Sequence, residues 1–371
     1  MMRTPKLFRS RSARPALLAV AVVLAATSAS AHAPPERGDL CDRSARIATT
    51  SGWCSCDSAL GRGTFYRWTG PRTILTADAR CSTYELVRLP GGRRVALRAL
   101  SAKISRRSGL AGTDVPGPDP VPPFVNAVCP APGGCRVLVI DLLGHACVAD
   151  LRRQAVTPEQ GSPYSVPFWM VRDTRWAEIL SGYGPAGGEL VVHDARDRRY
   201  LRCVHIPAGV FRRGYHLLAA GARRSRRGAQ VCLVFADGPA GRVRACYWRP
   251  GAAVTEIRAI QTSSPVHPGW PLRFALSRDC DRVAWTSMAV GRRGERVVGL
   301  WVSDLRAGHP RCLGTVRLPA SATHAGGRVV PASAVARSIV SGLAWTPADD
   351  RVSFECGGAL WVTAPCRFRP R

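Results

Sequence analysis

Apolar residues in this chain alternate with polar ones, or run in fives, far more often than they recur at helical spacing, so short strands are expected throughout. Arg46-Ile47-Ala48-Thr49-Thr50 reads as the first. Thr64 to Trp68, Thr73 to Thr76, Thr83 to Leu89 and Val95 to Ser101 follow, each bounded by Gly, Pro or Asp, and Pro90-Gly91-Gly92 makes the last two a hairpin. The stretch Gly109 to Gly134 carries Pro116, Pro118, Pro120, Pro122 and Pro123 and reads as a connection, with a strand at Phe124 to Val128 inside it. Further strands are expected at 136–141, 146–151, 166–171, 176–180, 190–194 and 200–206, then at 215–219, 231–235, 243–248 and 254–260. No amphipathic helix of three turns is predicted. The expected class is all-β.

The strands come in repeated sets. Arg273-Phe274-Ala275-Leu276-Ser277-Arg278-Asp279-Cys280-Asp281-Arg282-Val283-Ala284-Trp285 recurs 69 residues later, without a gap, as Gly342-Leu343-Ala344-Trp345-Thr346-Pro347-Ala348-Asp349-Asp350-Arg351-Val352-Ser353-Phe354. Each copy leads into a Leu-Trp-Val strand, at Leu300-Trp301-Val302 and at Leu360-Trp361-Val362. Leu190 to Arg196 resembles Leu300 to Arg306, offset by 110 residues. Repetition at this scale marks a solenoid, array or propeller. Four short antiparallel strands per unit make a propeller blade, and six such units can be counted. The last is short of a strand, because only eight residues follow Thr363. Residues 45–50 are expected to complete it, removing edges that would otherwise seek partners. Residues 41–371 then form one β-propeller domain.

Ser277-Arg278-Asp279-Cys280-Asp281-Arg282-Val283-Ala284-Trp285 with Leu300-Trp301-Val302-Ser303-Asp304 resembles the repeat of TolB-like β-propellers, bacterial relatives of WD-repeat proteins. That pattern is a Ser-Pro-Asp-Gly turn, a basic residue, an apolar-Ala-aromatic strand and a later apolar-aromatic-Val-x-Asp strand. The first copy lacks the Pro and has Cys280 where Gly is usual; the second keeps Pro347 but has Ala348 for Asp and Asp349 for Gly. The match is good over residues 272–306 and 342–364, fair over 188–196 and weak before 160. It implies a platform that binds other proteins, with no catalytic residues; no cofactor is expected.

The residues themselves agree with that reading. Asp279, Asp281, Asp349 and Asp350 stand where a turn needs a side chain that accepts backbone N–H groups and tolerates positive φ. A catalytic or metal role is the alternative for them. Trp285, Trp301, Trp345, Phe354 and Trp361 are expected between blades. A sialidase turn, Ser-x-Asp-x-Gly-x-Thr-Trp, is not matched, because the Trp falls one place late and Gly and Thr are absent. There is no Gly-x-Ser-x-Gly elbow, and no carboxylate pair stands out for glycoside hydrolysis. The eight histidines are scattered; His193, His205 and His216 lie in strand-like runs, where a structural role is the ordinary one. The alternative of a propeller hydrolase acting on extracellular glycan or peptide therefore has no constellation to carry it.

Compartment and charge complete the picture. Arg3, Lys6, Arg9, Arg11 and Arg14 precede an apolar run from Pro15 to Ala26 and the sites Ala29-Ser30-Ala31 and Ala31-His32-Ala33, a signal peptide expected to end at Ala31. An uncleaved anchor is the alternative, with an apolar run short of the ~20 residues a span needs. Residues 32–40 read as a linker. The 14 cysteines all follow the leader and read as a disulfide framework of open connectivity. Cys54-Ser55-Cys56 has no second pair at zinc-ligand spacing. Cys366 is expected beside Cys41, Cys54 or Cys56, locking the ring's seam. The net charge is +28, and without the five basic residues of the leader it is +23. Of 53 basic residues only Lys6 and Lys103 are lysine, a skew that a GC-rich genome writes into tolerant surface positions. Such a surface still attracts polyanions at low salt. Arg223, Arg224, Arg226 and Arg227 form the sharpest cluster, expected on a loop, where guanidinium groups could grip phosphate, sulfate or carboxylate. A solvated loop is the plain alternative. No aromatic residue interleaves with the cluster, so stacking on nucleic acid is not expected. The expectation is a secreted or envelope-associated platform whose partner is another envelope or extracellular protein, or an anionic polymer.

Overall fold

A computed structural model describes residues 39–49, 65–77, 84–107, 125–141, 146–157, 166–171, 174–184, 187–196, 200–207, 209–210, 215–237, 242–252, 254–260, 271–290, 296–306, 310–318, 324–325, 328–329 and 340–366. The expected signal peptide and Cys54 and Cys56 lie outside the described residues.

A one-turn helix α1 (Asp39–Asp42) leads into β1 (Ser44–Thr49). The first blade holds β2 (Phe65–Gly70), β3 (Thr73–Ala77), β4 (Tyr84–Arg88) and β5 (Arg93–Ala96), and helix α2 (Arg98–Arg107) follows it. The second holds β6 (Val125–Pro130), β7 (Arg136–Asp141), β8 (Ala146–Asp150) and β9 (Ala155–Val156). The third holds β10 (Val166–Trp169), β11 (Arg175–Gly184), β12 (Gly187–Asp194) and β13 (Tyr200–His205). In the fourth are β14 (Tyr215–Ser225), β15 (Gly228–Asp237), β16 (Arg242–Trp248) and β17 (Val254–Ile260). The fifth has β18 (Pro271–Leu276), β19 (Arg282–Val290), β20 (Arg296–Asp304) and β21 (Pro310–Arg317). A small hairpin, β22 (His324–Ala325) with β23 (Arg328–Val329), precedes β24 (Ser341–Trp345), β25 (Val352–Cys356) and β26 (Ala359–Thr363) of the sixth.

The sixth blade is completed from the other end of the chain. Its order is β1-β26-β25-β24, with Ser44 opposite Thr363 and Thr49 opposite Ala359. The first strands of successive blades touch in a closed circuit, β2 to β6, β10, β14, β18, β24 and back to β2. The chain is a six-bladed β-propeller. Both the blade number and the N-terminal closure agree with the sequence.

Each gap between blades is filled by one apolar cluster, because residues of a twisted strand alternate between two faces and every blade has a neighbour on each. Leu75 and Leu100 meet Val137 and Ala149 between the first and second blades. Leu138 meets Trp176, Ala177 packs with Leu233, and Val234 with Trp285, in the next three gaps. Leu300 and Phe354 share the fifth gap, and Tyr66 packs with Leu360 in the sixth. Indole N–H groups bridge some of the same gaps: Trp345 Nε1 donates to Ala275 O at 3.0 Å, Trp169 Nε1 to Cys129 O at 2.7 Å and Trp68 Nε1 to Ser353 Oγ at 2.8 Å. His193 meets Glu178 at 2.9 Å under a Trp176 ring stacked at 4.0 Å, all three buried.

Two features differ from expectation. The run Val95 to Ser101 is divided: β5 ends at Ala96 and α2 begins at Arg98. No Gly or Pro interrupts residues 93–107, helix-favouring Arg, Ala, Leu and Lys fill it, and buried Leu97, Leu100 and Ser101 recur at helical spacing. The second is Leu40, at the end of the expected linker, which is fully buried in the gap between the fifth and sixth blades. Gly314 makes this approach possible, since a Cβ there would stand 2.6 Å from Leu40 Cα.

Candidate binding face

In an antiparallel four-stranded blade the turn from first to second strand and the turn from third to fourth lie at the same end. At that end a turn module recurs. Ser277 N–H donates to Arg282 O, Cys280 N–H to Ser277 O, and Leu305 N–H to Asp281 O. Thr346, Asp349 and Cys366 make the same three bonds with Arg351, Thr346 and Asp350. So do Ala131, Gly134 and Leu151 with Arg136, Ala131 and Cys135 in the second blade. The third blade keeps two of them, from Met170 to Arg175 and from Ala195 to Thr174. The turn of Ser277 to Cys280 thus recurs in the second blade as Ala131-Pro132-Gly133-Gly134, too altered in sequence to be read there.

Gly134, Cys280 and Asp349 occupy one position of this module, at φ of 71°, 55° and 54°. Each reaches back to the preceding blade. A Cβ on Gly134 would stand 1.8 Å from Thr69 O, Cys280 Sγ lies over Gly221, and Asp349 accepts the backbone N–H groups of Arg278 and Asp279 at 2.9 and 3.2 Å. Burial pushes the Asp349 carboxyl up, against the pull of the Arg278 N–H.

The four turn aspartates have separate partners. Asp279 accepts the Ser277 hydroxyl at 2.5 Å and its own turn's Asp281 N–H at 3.0 Å. Asp281 pairs with Arg223 of the fourth blade and with Arg306, whose Nε lies 3.2 Å away. Asp350 accepts the Thr346 hydroxyl at 3.1 Å and lies 3.6 Å from Arg351 Nε. The third-to-fourth turns carry a second device, Asp-apolar-Arg, at Asp150-Leu151-Arg152, Asp194-Ala195-Arg196 and Asp304-Leu305-Arg306. In each, the Asp accepts the Arg backbone N–H, at 3.0, 2.8 and 2.7 Å, the apolar residue is buried and the Arg side chain is exposed.

The four clustered arginines are not brought together on one loop. Arg223 and Arg224 belong to β14, where successive side chains point to opposite faces. Arg223 turns into the gap, its Cζ 3.8 Å from the Tyr247 ring centroid and its Nη1 on Asp281. Burial pushes the Tyr247 hydroxyl up, and that hydroxyl donates to Cys280 O at 2.8 Å. Arg224, Arg226 and Arg227 stay exposed. The Cys366 thiol lies 3.9 Å from Thr363 Oγ1, in the apolar cluster that also holds Cys41 and Cys356.

The result is an end whose aspartates are committed to its own backbone and inter-blade pairs while its arginines project. Arg72, Arg88 and Arg93 of the first blade, Arg152 and Arg153 of the second, Arg196 of the third and Arg226 and Arg227 of the fourth are exposed, and no ion pair joins them to an acid among the described residues. Exposed Arg278 and Arg306 continue the series on the fifth, and Arg351 on the sixth is 42 % exposed. Sequence reasoning missed this crown because its members lie far apart along the chain. The Asp-x-Arg spacing at the end of the third strand in the second, third and fifth blades was the available signal.

Among the described residues no group of three or more His, Cys, Asp or Glu side chains is placed to hold a metal, and no helix is long and apolar enough to cross a membrane.

No protein-family model matches the chain, and no curated protein sequence does. Among solved structures it is similar to a chain of a mitotic checkpoint complex, at 12% identity and TM-score 0.45 over 90% of this chain and 97% of that one. It is similar also to an oligogalacturonate lyase from Vibrio parahaemolyticus, at 12% identity and TM-score 0.42 over 85% and 90%. U3-55K is a third, at 12% identity and TM-score 0.44 over 81% and 96%. At such identities the likeness concerns fold alone.

Proposed function

We propose that this protein is an exported, non-catalytic binding platform, and that the arginine-bearing end of the ring takes an acidic protein of the envelope or the surrounding medium. The observation that carries this reading is the crown itself: every blade contributes an arginine to one end, and the aspartates beside them are already used internally. Guanidinium groups form bidentate bonds with carboxylates. Charges spread over a rim steer encounter and select partners more than they add affinity, which a packed contact must supply. The closed ring holds the turns that would make that contact in fixed relative positions.

Purified protein would be presented to envelope and medium fractions of the source cell and washed along a salt gradient, beside a variant with Arg152, Arg153, Arg226 and Arg227 all changed to Ser. A discrete acidic protein retained by the wild type at high salt, and released about tenfold more readily by the variant, supports the platform, since ionic contacts alone weaken steeply as salt rises. If everything retained is acidic polymer that washes off at moderate salt, the partner is a polyanion and the protein-platform reading is lost. Equal retention by both proteins removes this face from the account.

A further inference from the structure

The module position that tolerates glycine best carries a cysteine in the fifth blade, and the surroundings of that cysteine are built for its sulfur. Gly221 and Cys232 are cross-strand partners in β14 and β15. A Cβ on Gly221 would stand 2.7 Å from Cys280 Sγ, so the missing side chain leaves the space through which Cys280 reaches toward the Cys232 thiol. Both sulfurs sit in the gap between the fourth and fifth blades. Cys246, one strand over, faces the opposite gap and does not compete. A second thiol pair lies at the ring's seam. Cys41, in α1 just before the closing strand, packs beside Cys356 at the end of β25, within the cluster that buries Leu40.

We infer that Cys232 with Cys280, and Cys41 with Cys356, form two disulfide bonds, one riveting the fourth blade to the fifth and the other fastening the N-terminal segment to the last blade. The seam bond would join residues 315 positions apart, closing most of the chain into one loop, the case in which a cross-link restricts the unfolded chain most. All four cysteines are buried in the finished fold. Contact with the partner thiol and burial push the Cys232 and Cys356 thiols up, so they are poor nucleophiles once folded. The bonds therefore form while the blades still dock. The oxidant is a disulfide, carried by a dithiol oxidoreductase or by oxidised glutathione. One cysteine thiolate attacks it to give a mixed disulfide, and the second displaces the carrier. Overall the two thiols give up two electrons and two protons, solvent relaying the protons, and the carrier takes up both pairs and leaves as its dithiol or as two thiols.

The test is refolding of the full chain from denaturant in reduced and oxidised glutathione, acid quenching, alkylation with N-ethylmaleimide under denaturing conditions and mapping of unreduced peptides by mass. The expected result is one peptide pair linking Cys41 to Cys356 and one linking Cys232 to Cys280, each lighter by two hydrogens than its separate thiols and neither alkylated. A Cys280→Gly variant, which restores the turn's usual residue, should refold with Cys232 newly alkylated and the seam link intact. Recovery of these four cysteines as alkylated thiols, or of links to other cysteines such as Cys41 with Cys366, overturns the assignment. So does a Cys232 that stays blocked in Cys280→Gly. Neither outcome bears on which face binds a partner.

Discussion

The carboxylate of Asp349 accepts the backbone N–H of Arg278 at 2.9 Å, across the boundary between the sixth and fifth blades. The Arg282 guanidinium returns the contact to the Asp349 carbonyl. One side chain thus caps a turn in a blade other than its own. Asp349→Ala leaves two N–H groups without that acceptor and keeps the strained φ, at a cost of about 2–4 kcal/mol. Asp349→Gly loses the acceptor but relaxes the backbone and should cost about 1 kcal/mol less. Urea denaturation ranks the three proteins; a glycine variant about 1 kcal/mol more stable than wild type would mean the cap contributes nothing.

The same carboxyl makes a pH-dependent contribution of definite sign. Its pKa is raised by burial from the usual 3.8, so the native state holds the proton to higher pH than the unfolded chain. The native state therefore binds more protons in that window, and stability from this group, full below 3.8, is lost as pH rises through the raised value. The stability of wild type relative to Asp349→Asn should fall as pH rises from the ordinary carboxylate range and level off near neutrality. A difference that grows with pH would show instead that the N–H groups outweigh burial.

At Gly342 the sixth blade packs closely on the first. It has φ of 60°, and a Cβ would meet Tyr66 Cε1 at 2.2 Å, a ring that is wholly buried. Gly342→Ala should cost about 3–5 kcal/mol, combining overpacking with a left-handed alanine. Gly358, at φ of 68° with open space around it, isolates the backbone part, and Gly358→Ala should cost about 1–2 kcal/mol. Equal losses would mean that the Tyr66 ring moves aside freely.

Glu178 and His193 are buried together, their side chains 2 % and 8 % exposed. Removing one partner leaves a polar group buried against Trp176, so Glu178→Ala or His193→Ala should each cost about 3–5 kcal/mol. The double variant should lose clearly less than the sum, and a thermodynamic cycle measures the difference. Additive losses would dismiss the pair as a unit.

Deleting residues 1–50 removes β1 and bares the backbone edge of β26. Such an edge seeks another strand. Light scattering should show concentration-dependent association of the truncated protein, whereas the full chain stays dispersed. A monodisperse truncated ring would mean that three strands suffice for the last blade.

Much of the fold was legible because blades repeat. Ser277 to Trp285 and Thr346 to Phe354 are near enough in sequence to align, and the shortage of residues after Thr363 called for a strand from the N-terminus. The candidate face was less legible. Ala131-Pro132-Gly133-Gly134 makes the same turn as its two relatives with almost none of their side chains, since backbone hydrogen bonds and a positive φ define it. Arg223 looked like a member of a solvated cluster, and only the neighbouring Asp281 and Tyr247 draw it into a gap.

By itself the sequence determined the all-β class, the six-blade count and the closing strand, because strand alternation and turn chemistry are local and repeat along the chain. The tertiary structure alone decided which cysteine meets which, which arginines project and which are spent between blades, and how Asp349 serves a turn 70 residues away. Those relationships arise where one blade docks on the next. Their partners are chosen by the ring's geometry, and no local pattern records it.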